Sequence, residues 1–263
     1  MIRTVIDLHA HILPGLDDGP PNLDVSAEMA AEAVAGGTAV LAATSHVNHG
    51  FALRPAELAS ARELVAERLR ADGIALEVIQ GGEISLTRAG DLPDEELREL
   101  TLGGGRWLLL ECPLGPTAAS MEPAVRALQG RGFEILLAHP ERSPALIRRP
   151  QQLERLLELG ALGQVTSGSF AGQFGDTVRQ AAFAMLERGH VHVLASDGHG
   201  PHHRPPDLRT ALTALERRYD DAEEQFDWLV AQVPRALLAG EPLPARPPAP
   251  RSRGGLLRRF RAG

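Results

Sequence analysis

Seven short apolar or β-branched segments alternate along the chain with longer segments of helical periodicity. The predicted strands cover residues 4–8, 38–44, 76–81, 106–110, 133–138, 162–166 and 191–195. The predicted helices cover residues 24–36, 57–72, 94–101, 121–131, 151–160, 176–189, 207–217 and 221–233. Pro55 and Asp176 stand where helices are expected to begin, and Gly73 and Gly132 stand where they are expected to end. This alternation predicts an α/β protein built from parallel strand–helix–strand units.

The same alternation bears on the number of domains. No repeat or linker divides residues 1–241, so these residues are predicted to form one domain. Seven strands favour closure into a barrel over an open, doubly wound sheet, but periodicity alone does not separate the two. After Pro242 the composition changes abruptly to proline and arginine, which predicts a disordered tail over residues 242–263.

The residue types that are missing exclude several classes of enzyme. The chain has no lysine, and this excludes Schiff-base, pyridoxal-phosphate and P-loop chemistry, each of which uses a lysine. The single cysteine, Cys112, excludes an intrachain disulfide, an iron–sulfur cluster and a multi-cysteine zinc site. No arginine follows Cys112 six positions later, as the loop of thiol-based tyrosine phosphatases requires. Catalysis must therefore use histidine, aspartate, glutamate and arginine.

The charge is distributed unevenly. The first 243 residues hold 21 arginines and all 34 acidic residues, a formal charge of −13, whereas residues 244–263 hold six arginines and no acid. Such an acidic body with 4% aromatic residues predicts no nucleic-acid binding. The absence of a transmembrane-length apolar run and the polar N-terminus predict a cytoplasmic protein. The segment LLRRFR at 256–261 is compatible with weak contact to a membrane or partner, or with a solvated end.

Six of the seven predicted strands end in, or lead into, a histidine or a carboxylate, and only the strand that ends in QVTS does not. In a parallel barrel the C-terminal strand ends share one face, which holds the active site. Side chains two positions apart on a strand point to the same side, so such pairs can bind one ion together. Imidazole and carboxylate ligands without thiolate suit Zn, Mn or Fe, and nine candidates exceed the needs of one ion. The strand ends supply His9, His11, His46, Glu83, Glu111, His139, Asp197 and His199, and the loop after the first strand adds the aspartate pair Asp17 and Asp18.

Several motifs together resemble a known family. The chain resembles proteins of the PHP (polymerase and histidinol phosphatase) fold in the runs IDLHAHILPGLDDGP, ATSH, GGE, LLLECP, LLAHPER and VLASDGH. Within that fold, HxHILPGxDDG and ASDxH followed by HHRPP resemble the bacterial manganese-dependent protein-tyrosine phosphatases of capsular and extracellular polysaccharide clusters. The resemblance covers about residues 4–238. It implies a PHP-type distorted (β/α)7 barrel, as a single domain followed by the disordered tail.

The resemblance also implies a site that binds two to three metal ions, with Mn²⁺ as the first choice and Fe, Zn or Co as alternatives. One ion would be held by His9, His11, Glu83 and Asp197. A second, to which Glu83 bridges, would be held by Glu111 and His139, and a third by Asp18, His46 and His199. Arg142 and Arg204 would bind the phosphate, since a guanidinium matches phosphate oxygens. Asp17 is expected to shape its loop or to support a ligand.

The activity that the resemblance implies is hydrolysis of phosphotyrosine by attack of a metal-bridging hydroxide on phosphorus. The expected substrate is a phosphotyrosine protein, a bacterial tyrosine kinase that regulates exopolysaccharide synthesis. Two alternatives stay open: a PHP phosphoesterase for a small phosphate such as histidinol phosphate or a sugar phosphate, and a non-catalytic, metal-stabilised regulator. Loops 47–55 and 84–93 would decide between the two enzymes. The sequence leaves the oligomeric state open.

Overall fold

The computed structural model describes residues 4–253, which contain nine short parallel strands and the helices around them. The strands are β1 Val5–Ala10, β2 Thr38–Ala43, β3 His46–Val47, β4 Glu77–Gln80, β5 Glu83–Ser85, β6 Trp107–Glu111, β7 Glu134–Ala138, β8 Leu162–Thr166 and β9 Val193–Ala195. The helices are α1 Leu23–Ala35, α2 Pro55–Asp72, α3 Leu86–Asp91, α4 Asp94–Glu99, α5 Met121–Gly130, α6 Pro144–Arg148, α7 Pro150–Glu158, α8 Ser167–Ala171, α9 Asp176–Glu187, α10 Arg209–Glu216, α11 Ala222–Asp227 and α12 Val233–Ala239. Short 3-10 turns lie at Leu102–Gly104 and Pro140–Arg142, and a π-helical stretch at Trp228–Gln232 joins α11 to α12.

The nine strands occupy seven positions around a distorted ring. One sheet has the order β1-β2-β4, the other has the order β3-β5-β6-β7-β8-β9, and every pairing is parallel. The ring closes where Ala10 bridges Gly198, with hydrogen bonds from His11 N to Gly198 O at 2.8 Å and from Asp197 N to His9 O at 2.8 Å. The predicted distorted (β/α)7 barrel is confirmed.

Two of the predicted strands are each split into two, and the splits lie side by side. The segment 38–44 becomes β2 and β3, and the segment 76–81 becomes β4 and β5. At the first break the Thr44 hydroxyl replaces part of the backbone ladder, because Oγ1 accepts from Ala10 N at 3.0 Å. At the second break a Cβ on Gly81 would lie 2.9 Å from Thr44 Cγ2, so glycine permits the close approach. The breaks lie just before His46 and Glu83, the candidate ligands that begin β3 and β5.

The alternation of β1 places its polar residues on one face. Ile6 and Leu8 belong to the hydrophobic core, whereas Asp7, His9 and His11 share the other face. All three polar residues are fully buried. Ionisable groups are almost never fully buried unless they are paired or bind metal, so this face points to a functional interior.

Short helices are the elements that the periodicity missed. The structure adds α3, α6, α8 and α12, none longer than seven residues. One or two turns are too short to show a 3.6-residue repeat. None of the helices within residues 4–253 is both long and apolar enough to cross a membrane.

Residues 242–253 form the C-terminal strap, the first part of the segment that is predicted to be disordered from residue 242 onward. It lies against the body: Gln225 Nε2 donates to Pro248 O at 2.8 Å, Arg251 N donates to Asp221 Oδ1 at 2.9 Å, and the Arg246 guanidinium lies 4.3 Å from the centre of the Trp228 ring. Tertiary packing fixes this proline-rich segment without regular secondary structure. The predicted contact segment 256–261 lies outside the described residues.

Candidate metal centre

The candidate metal centre contains two imidazoles, one from β1 and one from the turn after it. His9 Nε2 and His11 Nε2 lie 3.3 Å apart, and both side chains are buried. The other nitrogen of each ring has an acceptor: His9 Nδ1 lies 2.9 Å from Gln164 Oε1, and His11 Nδ1 lies 2.7 Å from Asp17 Oδ2. When each Nδ1–H donates to its acceptor, both Nε2 lone pairs face the same point, as metal-ligating histidines require.

The carboxylate of Glu83 lies at the centre of four imidazoles. Its Oε2 lies 3.4 Å from both His9 Nε2 and His11 Nε2 and 3.0 Å from His46 Nδ1, and its Oε1 lies 2.7 Å from His139 Nε2. Burial raises the pKa of Glu83, but the charges of His9 and His139 outweigh it and hold that pKa well below its usual value. Within the described residues, Oε2 is fully buried and makes no hydrogen bond of good geometry, which leaves an oxygen available to an ion.

Asp197 forms the opposite wall. Its Oδ1 lies 3.5 Å from His9 Nε2, and its Oδ2 pairs with the guanidinium groups of Arg142 and Arg204, the latter at 2.6 Å. Burial raises the pKa of Asp197, and the charges of His9, His139 and Arg204 reverse that effect and lower it. Within residues 4–253, Asp197 and His139 are the non-glycine residues with positive φ, at 52° and 38°. Such strain is of the order of 1–3 kcal/mol per residue and concentrates at functional sites.

A third group lies at the rim. Asp18 Oδ1 lies 3.4 Å from His199 Nε2 and 3.6 Å from His46 Nε2, and the Asp18 side chain is 54% exposed. His199 Nδ1 lies 2.9 Å from the backbone oxygen of Asp197, which orients Nε2 toward Asp18. Solvent therefore reaches the cluster on this side.

All nine candidate ligands lie together, in groups that share members. Four groups have one ligand atom per residue within 4.8 Å of the others: His11, Asp18, His46 and His199; His9, His11 and Glu83; His9, His139 and Asp197; His46, Glu83 and Glu111. Glu111 thus groups with His46 rather than with His139. The division of the ligands among individual ions remains a prediction.

The chemistry of these side chains fits divalent cations. Only imidazole and carboxylate donors are present, the set that suits Mn, Fe and Zn. Burial lowers the pKa of His9 and His11, yet the carboxylates of Glu83, Asp197 and Asp17 raise both values to about 9. The buried carboxylates are therefore stable in their ionised form only with compensating positive charge at the point where the Nε2 atoms converge. This requirement and the unsatisfied Glu83 oxygen support a metal cofactor.

Both candidate phosphate-binding arginines stand beside the cluster and against one aromatic ring. The guanidinium carbons of Arg142 and Arg204 lie 4.3 and 5.6 Å from the centre of the Phe174 ring. Arg142 ends the 3-10 turn that follows His139, and the backbone oxygen of Arg204 accepts from His199 N at 2.8 Å. Each arginine is thus connected through the backbone to a candidate ligand.

Three functional neighbours were missed by the sequence analysis. The strand that ends in QVTS contributes Gln164, whose amide oxygen orients His9; an amide gives no ligand signal in a sequence. Phe174 supports both arginines, and its only sequence signal is its place in the run SGSFAGQFG. Asp7 accepts from Ser196 N at 3.0 Å and ties β1 to the end of β9.

Asp17 performs both tasks that the sequence predicted for it. Its Oδ2 accepts from His11 Nδ1 and, at 2.9 Å, from His46 N, while its Oδ1 accepts from Gly19 N at 3.0 Å. Burial raises the pKa of Asp17, but the hydrogen bond and charge of His11 lower it to about 2. The ionised carboxylate therefore holds the loop and the His11 ring together.

Two further polar residues near the site, Glu141 and Cys112, are buried and have structural roles. Glu141 is buried, and its Oε1 accepts from Ser169 Oγ at 2.7 Å and Thr166 N at 3.0 Å, which ties the 3-10 turn to α8. Burial raises the pKa of the Cys112 thiol well above its usual value, and nearby carboxylates raise it further. A buried, protonated thiol is a poor nucleophile.

Comparisons with known proteins agree with the resemblance that the motifs predicted. A family model described as "Capsular polysaccharide synthesis, CpsB/CapC" matches residues 5–239. Tyrosine-protein phosphatase YwqE of Bacillus subtilis (strain 168) is 32% identical over 247 residues, which cover 94% of this chain and 96% of YwqE. Tyrosine-protein phosphatase CpsB of Streptococcus pneumoniae is 29% identical over 222 residues, which cover 82% and 91% of the two chains.

Solved structures give the same result. A structure from work on YwqE of B. subtilis and CpsB of S. pneumoniae, described as unique metal-dependent tyrosine phosphatases, superposes with a TM-score of 0.82 at 31% identity, covering 93% of this chain and 98% of that one. The phosphotriesterase homology protein of Escherichia coli shares the fold alone, with a TM-score of 0.57 at 11% identity over 90% of this chain and 99% of its own. The match over residues 5–239 and the near full-length similarity to YwqE place the chain in the CpsB/CapC family of capsular polysaccharide synthesis.

Proposed function

We propose that this chain is a metal-dependent protein-tyrosine phosphatase. One observation carries the proposal: Arg142 and Arg204 converge on Asp197, a member of the buried imidazole–carboxylate cluster. Guanidinium groups bind phosphate oxygens in pairs, so a phosphate at the rim would face both arginines and the cluster together. The names of YwqE and CpsB, relatives along most of the chain, support phosphotyrosine as the ester.

Two groups of residues would have different roles in the reaction: one would hold the metal ions and the other would bind the phosphate. His9, His11, Glu83 and Asp197 would hold ions in the interior, and Asp18, His46 and His199 would hold one at the rim. Bound divalent ions supply positive charge for the phosphate oxygens and lower the pKa of coordinated water. Arg142 and Arg204 would orient the phosphate, and Phe174 packs against both guanidinium groups and limits their movement.

Two to three ions, with Mn²⁺ as the first choice, match the site electrostatically. Three divalent ions against the carboxylates of Asp18, Glu83, Glu111 and Asp197 leave a formal charge of about +2, which attracts a phosphate dianion. The same nitrogen and oxygen donors accept Fe, Zn or Co, so metal identity has to be measured.

The rim favours a phosphate carried on a protein over a small phosphate. Asp18 is more than half exposed, so the cluster opens to solvent. In the loop that was expected to select the substrate, the Phe51 ring lies parallel to the His46 imidazole, at 10° and 6.0 Å between centres. An aromatic ring at the mouth offers a surface for the phenyl group of phosphotyrosine. We propose a cytoplasmic tyrosine kinase of polysaccharide synthesis as the protein substrate.

The test is phosphate release from a phosphotyrosine peptide and from histidinol phosphate, each with Mn²⁺ and with a chelator. We expect metal-dependent turnover of the peptide. Arg204→Ala removes a charge-assisted contact worth about 1.5–3 kcal/mol, so peptide kcat/KM should fall about 10- to 150-fold with bound metal unchanged. Arg126→Ala, on an exposed helix face, is the control and should keep full activity.

Each other outcome contradicts the proposal. Turnover of histidinol phosphate alone would identify a small-molecule phosphoesterase. If neither compound releases phosphate although metal is shown to be bound, the protein would be a non-catalytic regulator.

A further inference from the structure

A groove with basic walls lies between α9 and α10. Its floor contains Phe170 and Phe183, and its walls contain Arg179, Arg217 and Arg218. We call it the arginine groove. The residues that line it include no carboxylate, although the first 243 residues of the chain carry a formal charge of −13. A local basic surface on such an acidic protein selects anionic partners.

Among the described residues, two of the three arginines of the groove already pair with a neighbouring carboxylate, and the third does not. Arg179 pairs with Asp176 at 2.8 Å and Arg218 pairs with Glu187 at 2.8 Å, and neither carboxylate lines the groove. Arg217 is exposed and makes no ion pair among residues 4–253. The Arg218 guanidinium lies 4.5 Å from the centre of the Phe183 ring, which fixes its position over the floor. A carboxylate in the groove would therefore meet preplaced cations.

The arginine groove is continuous with the candidate phosphate site. A neighbouring depression is lined by Arg204, Gln173 and Asp207, and it shares Ala171 and Thr210 with the groove. The Asp207 carboxylate already accepts from Arg209 N at 2.9 Å. Arg204 is the residue that pairs with Asp197 in the metal cluster. A chain whose phosphate meets Arg204 can thus follow the surface along α10 into the groove.

The length of this path sets the position of the contact. Arg217 lies seven positions after Thr210, which is about 10 Å along a helix at 1.5 Å per residue. An extended peptide covers that distance in about three residues. Contacts with Arg217 therefore fall at least three positions away from the phosphorylated residue.

We propose that the arginine groove binds acidic residues that flank the phosphotyrosine of the protein substrate, at about three to six positions from it. The inference rests on the proposed phosphatase function and adds a sequence preference to it. The occupant is an acidic polypeptide segment, because the lining carries three arginines and no carboxylate and shares residues with the depression that contains Arg204.

The experiment compares three phosphotyrosine peptides: one with neutral flanks, one with glutamates three to six positions before the phosphotyrosine, and one with them after it. We expect one acidic peptide to exceed the neutral peptide in kcat/KM by about tenfold at low salt, with the difference shrinking as salt screens the charges. In Arg179→Glu/Arg217→Glu this difference should disappear. Arg126→Glu/Arg235→Glu makes the same charge change at exposed positions on α5 and α12 and should keep the difference.

Two results would overturn the proposal, and they are distinguishable. Equal rates on all three peptides, or an acidic preference that survives in the double variant, would reject the groove while leaving the phosphatase function intact. Absence of turnover on every peptide would reject the phosphatase function and the inference with it.

Discussion

Ligand orientation at the centre depends on residues that do not themselves face the converging Nε2 atoms. His9 Nδ1 lies against Gln164 Oε1 and His11 Nδ1 lies against Asp17 Oδ2, so a proton on each Nδ1 would leave Nε2 as the inward-facing ligand atom. Loss of such an acceptor usually costs 10- to 100-fold in metal affinity. We therefore propose that Gln164 positions His9 for metal binding, although it is an uncharged amide.

For Gln164→Leu we expect metal affinity to fall by about 10- to 100-fold, because the His9 ring loses the acceptor that fixes its tautomer. Titration calorimetry with Mn²⁺ measures this directly. Gln151→Leu, at an exposed position on α7, is the control. Unchanged affinity in Gln164→Leu would show that the remaining ligands orient His9 without help.

At the scale of elements, the two ends of the barrel use histidine in opposite ways. At the C-terminal end, carboxylates raise the pKa of His9 and His11. Below that end, just before β9, burial and then the charge of Arg246 lower the pKa of His192 to about 4. His192 Nδ1 accepts from Gly163 N at 3.2 Å, a role that only the unprotonated nitrogen can fill.

The depressed pKa of His192 predicts a loss of stability in acid. The unfolded state takes up a proton near pH 6.5 and the folded state near pH 4, so this histidine destabilises the fold as the pH falls through that window. Between pH 7 and pH 5 it accounts for about 2 kcal/mol. Urea unfolding of His192→Gln should show a correspondingly smaller loss over the same interval. Parallel losses in both proteins would contradict the assignment.

The C-terminal strap predicts a stabilising role for residues that lack secondary structure. Truncation after Glu241 removes the Arg246–Trp228 contact and the hydrogen bonds to Asp221 and Gln225. We expect it to lower the free energy of unfolding by about 1–3 kcal/mol. Truncation after Arg253 keeps these contacts and serves as the control; equal stability of the two shortened chains would show that the strap contributes nothing.

Across the whole molecule, the metal centre joins the strands that are furthest apart in sequence. Its candidate ligands come from β1 and the loop after it, from β3, β5 and β6, and from the ends of β7 and β9. Ions that bind the folded state alone stabilise it by mass action, about 4 kcal/mol at a thousandfold excess over Kd.

Metal removal should therefore lower the thermal stability of the protein. For a domain of this size, about 4 kcal/mol corresponds to a Tm shift of about 8–16 °C, measurable by calorimetry with Mn²⁺ and with a chelator. Asp197→Asn replaces a negatively charged carboxylate ligand with a neutral amide, so we expect a smaller Tm shift on metal removal in this variant. A Tm that does not respond to the chelator would contradict metal binding at this cluster.

Local sequence determined the α/β alternation, the helix bounds at Pro55 and Gly73 and the nine candidate ligands. Hydrophobic periodicity and strand-end chemistry are short-range properties, readable within a few residues. Tertiary structure alone decided that β2 and β4 end beside each other, that Glu111 groups with His46, that Gln164 contacts His9 and Phe174 contacts both arginines, and that the strap packs on Trp228. Each of these depends on contacts between residues far apart in the chain, and such contacts leave no pattern in the local sequence.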